Sequence, residues 1–270
     1  MPNSTQPAPH PRKRFGQHFL RDKNIIRRIV DSVILERGQA LVEIGPGRGA
    51  LTSLLAEKSS RLHAIEVDRD LACALSEQHK NSDHVTVHAA DALKFDYRSI
   101  AQGERQKIVI VGNLPYNIST PLFFVFNANI DIVAEMVFMV QREIASRLTA
   151  APCDKNYGRL TVTVGRCFEV QHLFDVGPAA FSPAPKVKST VIRFVPRTIP
   201  IGSEVSPPLF EKVVRDVFSQ RRKTLRNALK NYEAEPILAE LGIDPMIRGE
   251  RLSIEQFTKI VANIEANLSN

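Results

Sequence analysis

The chain has 270 residues, is 43% hydrophobic, and carries a formal net charge of +7 with a pI near 9.4. That length holds one large domain, or a medium one with a small companion, and the apolar content is ample for a packed core. Cys73, Cys153 and Cys167 are odd in number and widely spaced, which excludes a disulfide framework and a zinc cluster and points to a reducing cytosol, while the basic excess favours a polyanionic partner.

Met1 to Pro11 is Pro-rich and polar. A disordered tail is expected over 1–11, without the apolar core of a secretory signal. No apolar run approaches the roughly 18 residues a membrane span needs, so a cytoplasmic protein with no membrane partner is expected. From Arg12 a basic entry begins. Residues 12–28 hold seven Lys/Arg against Asp22. Asp22 is placed to cap an amphipathic helix on which Ile25, Ile26, Ile29, Val30, Val33 and Ile34 recur at helical spacing.

Strands and helices then alternate to about residue 150, the pattern of a parallel sheet with crossover helices. Leu41 to Ile44 reads as a buried strand, Gly45-Pro46-Gly47-Arg48-Gly49 as a turn, and Ala50 to Ala56 as a helix. Strand, glycine-rich turn and helix make a nucleotide-binding corner, and Gly45 and Gly47 let a ligand approach the backbone closely. The strand Leu62 to Val67 carries Glu66 near its end, where a carboxylate can take both hydroxyls of a ribose. The strand Val85 to His88 leads to Asp91, whose carboxylate can accept from an adenine amine. On its own the corner would also suit a dehydrogenase. However, Gly45-x-Gly47-x-Gly49 lacks the final x-x-Gly of the dinucleotide fingerprint.

The apolar run Ile108 to Val111 ends in Asn113-Leu114-Pro115-Tyr116. The Asn113 side-chain oxygen can accept from an exocyclic amine. Pro115 biases Leu114 toward an extended backbone, so the Leu114 carbonyl can point outward as a second acceptor. Tyr116 offers a ring face for stacking. Together they suit the amino group of an adenine, although Asn-x-Pro-Tyr could also be a plain turn after a strand.

Residues 133–140 read as a strand, followed by a helix from Gln141. Two later strands are expected, Leu160 to Phe168 and Thr190 to Val195, joined by a long loop with Phe181-Ser182-Pro183. A linker rich in Pro, Gly and Ser follows. Beyond it everything reads helical. Residues 211–230 hold seven Lys/Arg against Glu211 and Asp216. Within them Arg221, Arg222 and Lys223 form a cluster favoured for RNA contact, though a basic helix alone is often just a solvated face.

Phe15-Gly16-Gln17-His18-Phe19-Leu20, Glu43-Ile44-Gly45-Pro46-Gly47-Arg48-Gly49, Asn113-Leu114-Pro115-Tyr116-Asn117-Ile118-Ser119, Gln141-Arg142-Glu143, Phe181-Ser182-Pro183 and Phe218-Ser219-Gln220-Arg221-Arg222-Lys223 appear in that order. They closely resemble the ribosomal RNA adenine N6,N6-dimethyltransferase family, nearest to its bacterial small-subunit branch. His18 and Lys188 stand where that family commonly has Asn and an acidic residue. The resemblance implies a Rossmann-like, seven-stranded class I methyltransferase sheet over 12–196, a linker over 197–208 and a small all-helical RNA-binding domain over 209–270. It implies S-adenosyl-L-methionine as cofactor, with Gln17, His18 and Leu20 closing over it. Gly45 and Gly47 would admit its methionine part, Glu66 its ribose and Asp91 its adenine. Asn113 and Leu114 would hold the target amine, with Tyr116 and Phe181 as faces for the base. The implied reaction is dimethylation of N6 of two adjacent adenosines near the 3′ end of small-subunit (16S) rRNA, by a monomer acting on a pre-assembled 30S particle. A large-subunit rRNA adenine methyltransferase and an assembly factor with incidental catalysis stand as alternatives.

Overall fold

The computed structural model describes residues 18–101 and 107–269. The tail expected over 1–11, and the basic entry from Arg12 to Gln17, lie outside the described residues. The chain divides into two compact units. One runs to Arg142 and resumes over Gln171–Val195; the other is Glu143–Val170 with the chain from Pro196 onward.

In the first unit a short strand β1 (Phe19–Leu20) leads into α1 (Lys23–Ser32). The Asp22 carboxylate accepts from the N–H groups of Asn24 (2.9 Å) and Ile25 (3.2 Å), satisfying donors that a helix start leaves bare. Ile26, Ile29 and Val30 form the buried stripe. Then β2 (Leu41–Ile44), α2 (Thr52–Lys58), β3 (Leu62–Glu66), α3 (Arg69–Gln78), β4 (Val85–Ala89), α4 (Tyr97–Ala101), β5 (Ile108–Asn113), α5 (Ser119–Ala128) and β6 (Val133–Gln141) alternate. The chain continues through α6 (Arg142–Leu148) and α7 (Arg159–Cys167), then returns as β7 (Phe168–Val176), β8 (Phe181–Ser182) and β9 (Ser189–Pro196). It ends in α8 (Pro207–Ser219), α9 (Leu225–Ala228), α10 (Glu235–Glu240) and α11 (Ile254–Ser269). Among the described residues no helix is long and apolar enough to cross a membrane.

Seven strands form one sheet in the order β4-β3-β2-β5-β6-β9-β7. From β4 to β6 every neighbouring pair is parallel, and β9 runs antiparallel to β6. The central strands are near-continuous apolar runs, as both faces are covered; β2 and β5 are buried along almost their whole length. The order reverses at β2, with β3 and β4 on one side and β5 and β6 on the other. In such sheets the crevice beyond the carboxyl ends at the reversal is where ligands bind. A separate two-stranded ribbon pairs β1 with β8 antiparallel, Phe19 opposite Ser182 and Leu20 opposite Phe181.

One expectation is overturned. The stretch expected as a strand over Leu160 to Phe168 is helix α7 up to Cys167, and the strand starts at Phe168 and runs to Val176. Leu160 to Val164 are all buried, so the segment shows no exposed face by which periodicity could separate helix from strand. Packing overrides the strand preference of its Val and Thr residues. The true strand, β7, is the last in the sheet order and carries Glu169, Gln171, His172 and Asp175, which hid it from a hydrophobic reading.

The domain boundaries also differ from 12–196 and 209–270. Residues 143–170 group with the C-terminal helices. The stretch 197–208 is not slack. The Arg197 and Ile201 N–H groups donate to the carbonyls of Cys167 and Arg166, both at 2.9 Å. The nearly buried Arg166 guanidinium donates to the carbonyls of Ile201, Gly202 and Val205. The core of this second unit is built on Phe210, Val213, Val214 and Val217 of α8 with Phe257, Ile260, Val261 and Ile264 of α11, each set recurring at helical spacing.

Candidate active site

A cavity of about 330 Å³ opens beyond the carboxyl ends of β2, β3, β4 and β5 in the first unit. Of the residues expected there, it is lined by His18, Leu20, Gly45, Gly47, Glu66, Asp91, Asn113, Leu114 and Tyr116. Apart from His18 and Leu20, which come from the β1 segment, these residues stand at or just past strand ends, which explains their convergence. Parallel strands in register deliver their following loops to one rim.

Gly45 and Gly47 have φ of +64° and +58°, a region costly for residues with a Cβ. A Cβ on Gly47 would lie 3.1 Å from two atoms of the Phe19 ring, so the bare backbone also lets that ring close down. The Arg48 guanidinium lies 4.5 Å from the centre of the same ring.

Glu66 is 5% exposed. Its carboxylate accepts from the N–H of Gly47 and of Asp68, each at 3.0 Å. Burial holds its pKa above the ordinary carboxylate value, and these backbone hydrogen bonds offset only part of the rise. Each oxygen keeps acceptor capacity beyond the bond it makes. Asp91 is half-buried and accepts the Leu93 N–H through Oδ1 at 2.9 Å, which fixes the carboxylate at the cavity wall.

The Asn113 side-chain N–H donates to the His18 carbonyl at 3.1 Å. Its nitrogen end is thereby identified, and its oxygen is left as the acceptor end. The Leu114 N–H donates to the Met139 carbonyl at 3.1 Å, and the residue is 1% exposed, which fixes the backbone whose carbonyl the sequence reading expects as a second acceptor. Tyr116 is half-buried, and its hydroxyl lies 3.2 Å from Ser189 Oγ. Burial raises its pKa. The His18 ring sits 5.7 Å from the Tyr116 ring at 32°. Its Nδ1 lies 2.8 Å from the Pro183 carbonyl; a carbonyl only accepts, so Nδ1 carries the proton.

Phe181 does not join this group. It is 2% exposed, pairs with Leu20 across the β1–β8 ribbon and packs in the core with Ile26, Val176 and Val191. Its ring has no free face for a base. The RNA-binding candidates lie in the second unit, in the turn after α8. There Arg221 is engaged with Glu250 (2.8 Å) and the Lys155 carbonyl (2.7 Å), while Arg222 and Lys223 are exposed.

Sequence reasoning gave Glu43 no role, yet it lines the cavity at 2% exposure. Burial pushes its carboxyl up to about 8, the Thr52 hydroxyl beside it lowers it, and the Glu66 charge raises it further. Its Oε2 has no hydrogen-bond partner among the described residues. The available signal was a carboxylate inside an otherwise apolar strand, Leu41-Val42-Glu43-Ile44.

The family model described as ribosomal RNA adenine dimethylase matches residues 9–266. The chain is 48% identical to the ribosomal RNA small subunit methyltransferase A of Methylococcus capsulatus, over 92% of this chain and 95% of that one. It is 46% identical to the protein of the same name from Aromatoleum aromaticum, over 94% of each. In fold it is similar to a dimethyladenosine transferase from Plasmodium falciparum, with a TM-score of 0.81 at 24% identity, covering 92% of this chain and 98% of that one. The chain belongs to the ribosomal RNA adenine dimethylase family.

Proposed function

We propose that the protein binds S-adenosylmethionine in this cavity and transfers methyl groups to N6 of two adjacent adenosines near the 3′ end of small-subunit rRNA, acting as a monomer on a pre-assembled 30S particle. The orientation of Asn113 carries this reading. With its N–H committed to His18, its oxygen and the Leu114 carbonyl form a pair of acceptors suited to an exocyclic amine. An amino group presents two donors, and a carbonyl-bearing base at that point would meet two repelling oxygens.

The lining fits the cofactor. Glu66 has capacity for two ribose hydroxyls, and Asp91 keeps its second oxygen for an adenine amine. Ile65, Val67, Ala92 and Leu93 supply apolar sides. The bare backbone at Gly45 and Gly47 leaves room for an amino-acid end, and His18 and Leu20 stand as the closing wall. When bound, the cofactor supplies an electrophilic methyl carbon on a sulfonium.

Adenine N6 is a poor nucleophile because its lone pair is delocalised into the ring. The two acceptors favour a pyramidal nitrogen and stabilise the positive charge that builds on it during attack. Tyr116 stacks on the flipped base and holds it in line. After transfer the N6 proton is acidic and leaves to water, so no strong general base is required. Kinship with relatives named for the small subunit, at 46–48% identity, favours small-subunit over large-subunit rRNA.

The test is transfer of labelled methyl to unmethylated small subunits, large subunits and naked rRNA in parallel, with the nucleosides identified. Dimethyladenosine in small subunits is expected. Label in large subunits would move the protein to the other rRNA, and cofactor binding without transfer would leave an assembly factor.

A further inference from the structure

At the rim beside Tyr116 lies a group of cations that the reaction above does not use. Strand β9 opens at Ser189, which stands opposite Gln141 of β6. Pairing continues one step beyond the strands, where the Arg142 N–H donates to the Lys188 carbonyl at 3.0 Å. Arg142 and Lys188 are thereby held side by side. Lys186, Val187 and Lys188 are all exposed, Val187 to 45%. The rim adjoins the base-holding residue directly, since the Tyr116 hydroxyl touches Ser189, the residue after Lys188.

The positive charge here is weakly compensated. Asp175 Oδ2 stands 3.9 Å from the Arg142 guanidinium, while Asp175 Oδ1 already receives Thr190 at 2.8 Å and His172 at 3.1 Å. Glu143, next along the chain, is engaged by Arg147. Among the described residues neither Lys186 nor Lys188 has an ion-pair partner.

We propose that Arg142, Lys186 and Lys188 form a phosphate grip for the RNA strand on either side of the target adenosine. This rests on the proposed function. A base inserted against Tyr116 leaves its ribose and flanking phosphates at the mouth, within reach of long cationic side chains anchored there. Unstacking the base costs a few kcal/mol, and phosphate contacts that set the strand's register offset part of that cost without reading sequence. The Arg142 fork suits two phosphate oxygens at once, and the lysines act as point charges. Val187 presents an apolar patch between them on which a sugar can rest.

The test compares Arg142→Gln and the double variant Lys186→Gln/Lys188→Gln with wild type. A charge-matched control, Lys80→Gln/Lys107→Gln, lies on the segments leading into the amino ends of β4 and β5. Methyl transfer to the RNA accepted by wild type is measured across a salt series, and cofactor affinity is measured separately by calorimetry. For the double variant we expect kcat/KM for RNA to fall about tenfold at low salt. The slope of log(kcat/KM) against log[salt] should be shallower by about 1.4, the value for two lost contacts to a single strand. Cofactor affinity should stay within about twofold, and the control should behave as wild type. An unchanged slope, or an equal loss in the control, overturns the grip. If wild type methylates no RNA, the functional reading fails first. Filter-retention binding of rRNA across the same salt series then reads the grip alone, with the same slope criterion.

Discussion

The side-chain amide of Asn113 donates to the backbone carbonyl of His18 across 3.1 Å, so the residue proposed to hold the target amine is itself held by another segment of the cavity wall. On the proposed mechanism, removing that side chain takes away both an acceptor for the amine and the bond to the His18 carbonyl. Asn113→Ala should lower the single-turnover methylation rate by about 10² to 10³, the usual effect of losing one group that stabilises developing charge. Cofactor affinity should change by less than about tenfold. A single-turnover rate equal to wild type would remove Asn113 from the reaction.

Tyr116 separates stacking from hydrogen bonding. Tyr116→Phe keeps the ring and gives up only the contact to Ser189, so kcat/KM should stay within about threefold of wild type. Tyr116→Ala loses the stacking face, worth about 1–3 kcal/mol per base, and should depress kcat/KM for RNA about 5- to 150-fold. Steady-state kinetics on the accepted rRNA would distinguish the two. Equal losses in both variants would assign the effect to the hydroxyl.

Phe181 is expected to act on the fold. At 2% exposure in a closed core, Phe181→Ala should destabilise the protein by about 3–5 kcal/mol, read as a lowered urea midpoint. Phe181→Leu fills more of the volume and should retain most of the kcat at a temperature where it is folded. Loss of methyl transfer in a well-folded Phe181→Leu protein would return the ring to the substrate.

Glu43 gives a pH signature. Its carboxyl is raised to about 8 in the fold against an ordinary value of 4.5. Between these values the native state holds a proton that the unfolded chain has released. Stability therefore falls as pH rises from about 4.5 to 8, with a slope approaching 1.4 kcal/mol per pH unit from this group. Glu43→Gln keeps the shape and removes the titration. Its urea midpoint should decline less than that of wild type across the same range. Parallel profiles would show that Glu43 is ionised in the native protein.

What the sequence disclosed was local. Gly45 to Gly49, Glu66, Asp91 and Asn113 to Tyr116 each lie at or just beyond the end of a short strand, and that order of signals survives without tertiary knowledge. Asp22 was legible as a cap for the same reason. What escaped depends on burial and long-range pairing. Glu43 stands out in the sequence only as a carboxylate in an apolar run; its raised pKa depends on both faces of β2 being covered. Phe181 resembled a base platform until its pairing with Leu20 enclosed it. Helix α7 was mistaken for a strand because every residue from Leu160 to Val164 is buried. Arg221 stood out as a free cation in the sequence, whereas Glu250 and Lys155, both distant along the chain, occupy it.

The wall of the cavity joins chain segments far apart in the sequence: the His18 ring meets the Pro183 carbonyl across 165 residues, and among the described residues β1 pairs only with β8. During synthesis the loops bearing Gly45, Gly47, Glu66, Asp91 and Asn113 all emerge well before Phe181. A nascent chain thus carries nearly every residue proposed to contact a ligand before the strand that pairs with β1 has been made. Closing a contact over so long a separation costs chain entropy before it is rewarded, so the proposed cofactor site should be completed late in the maturation of each molecule.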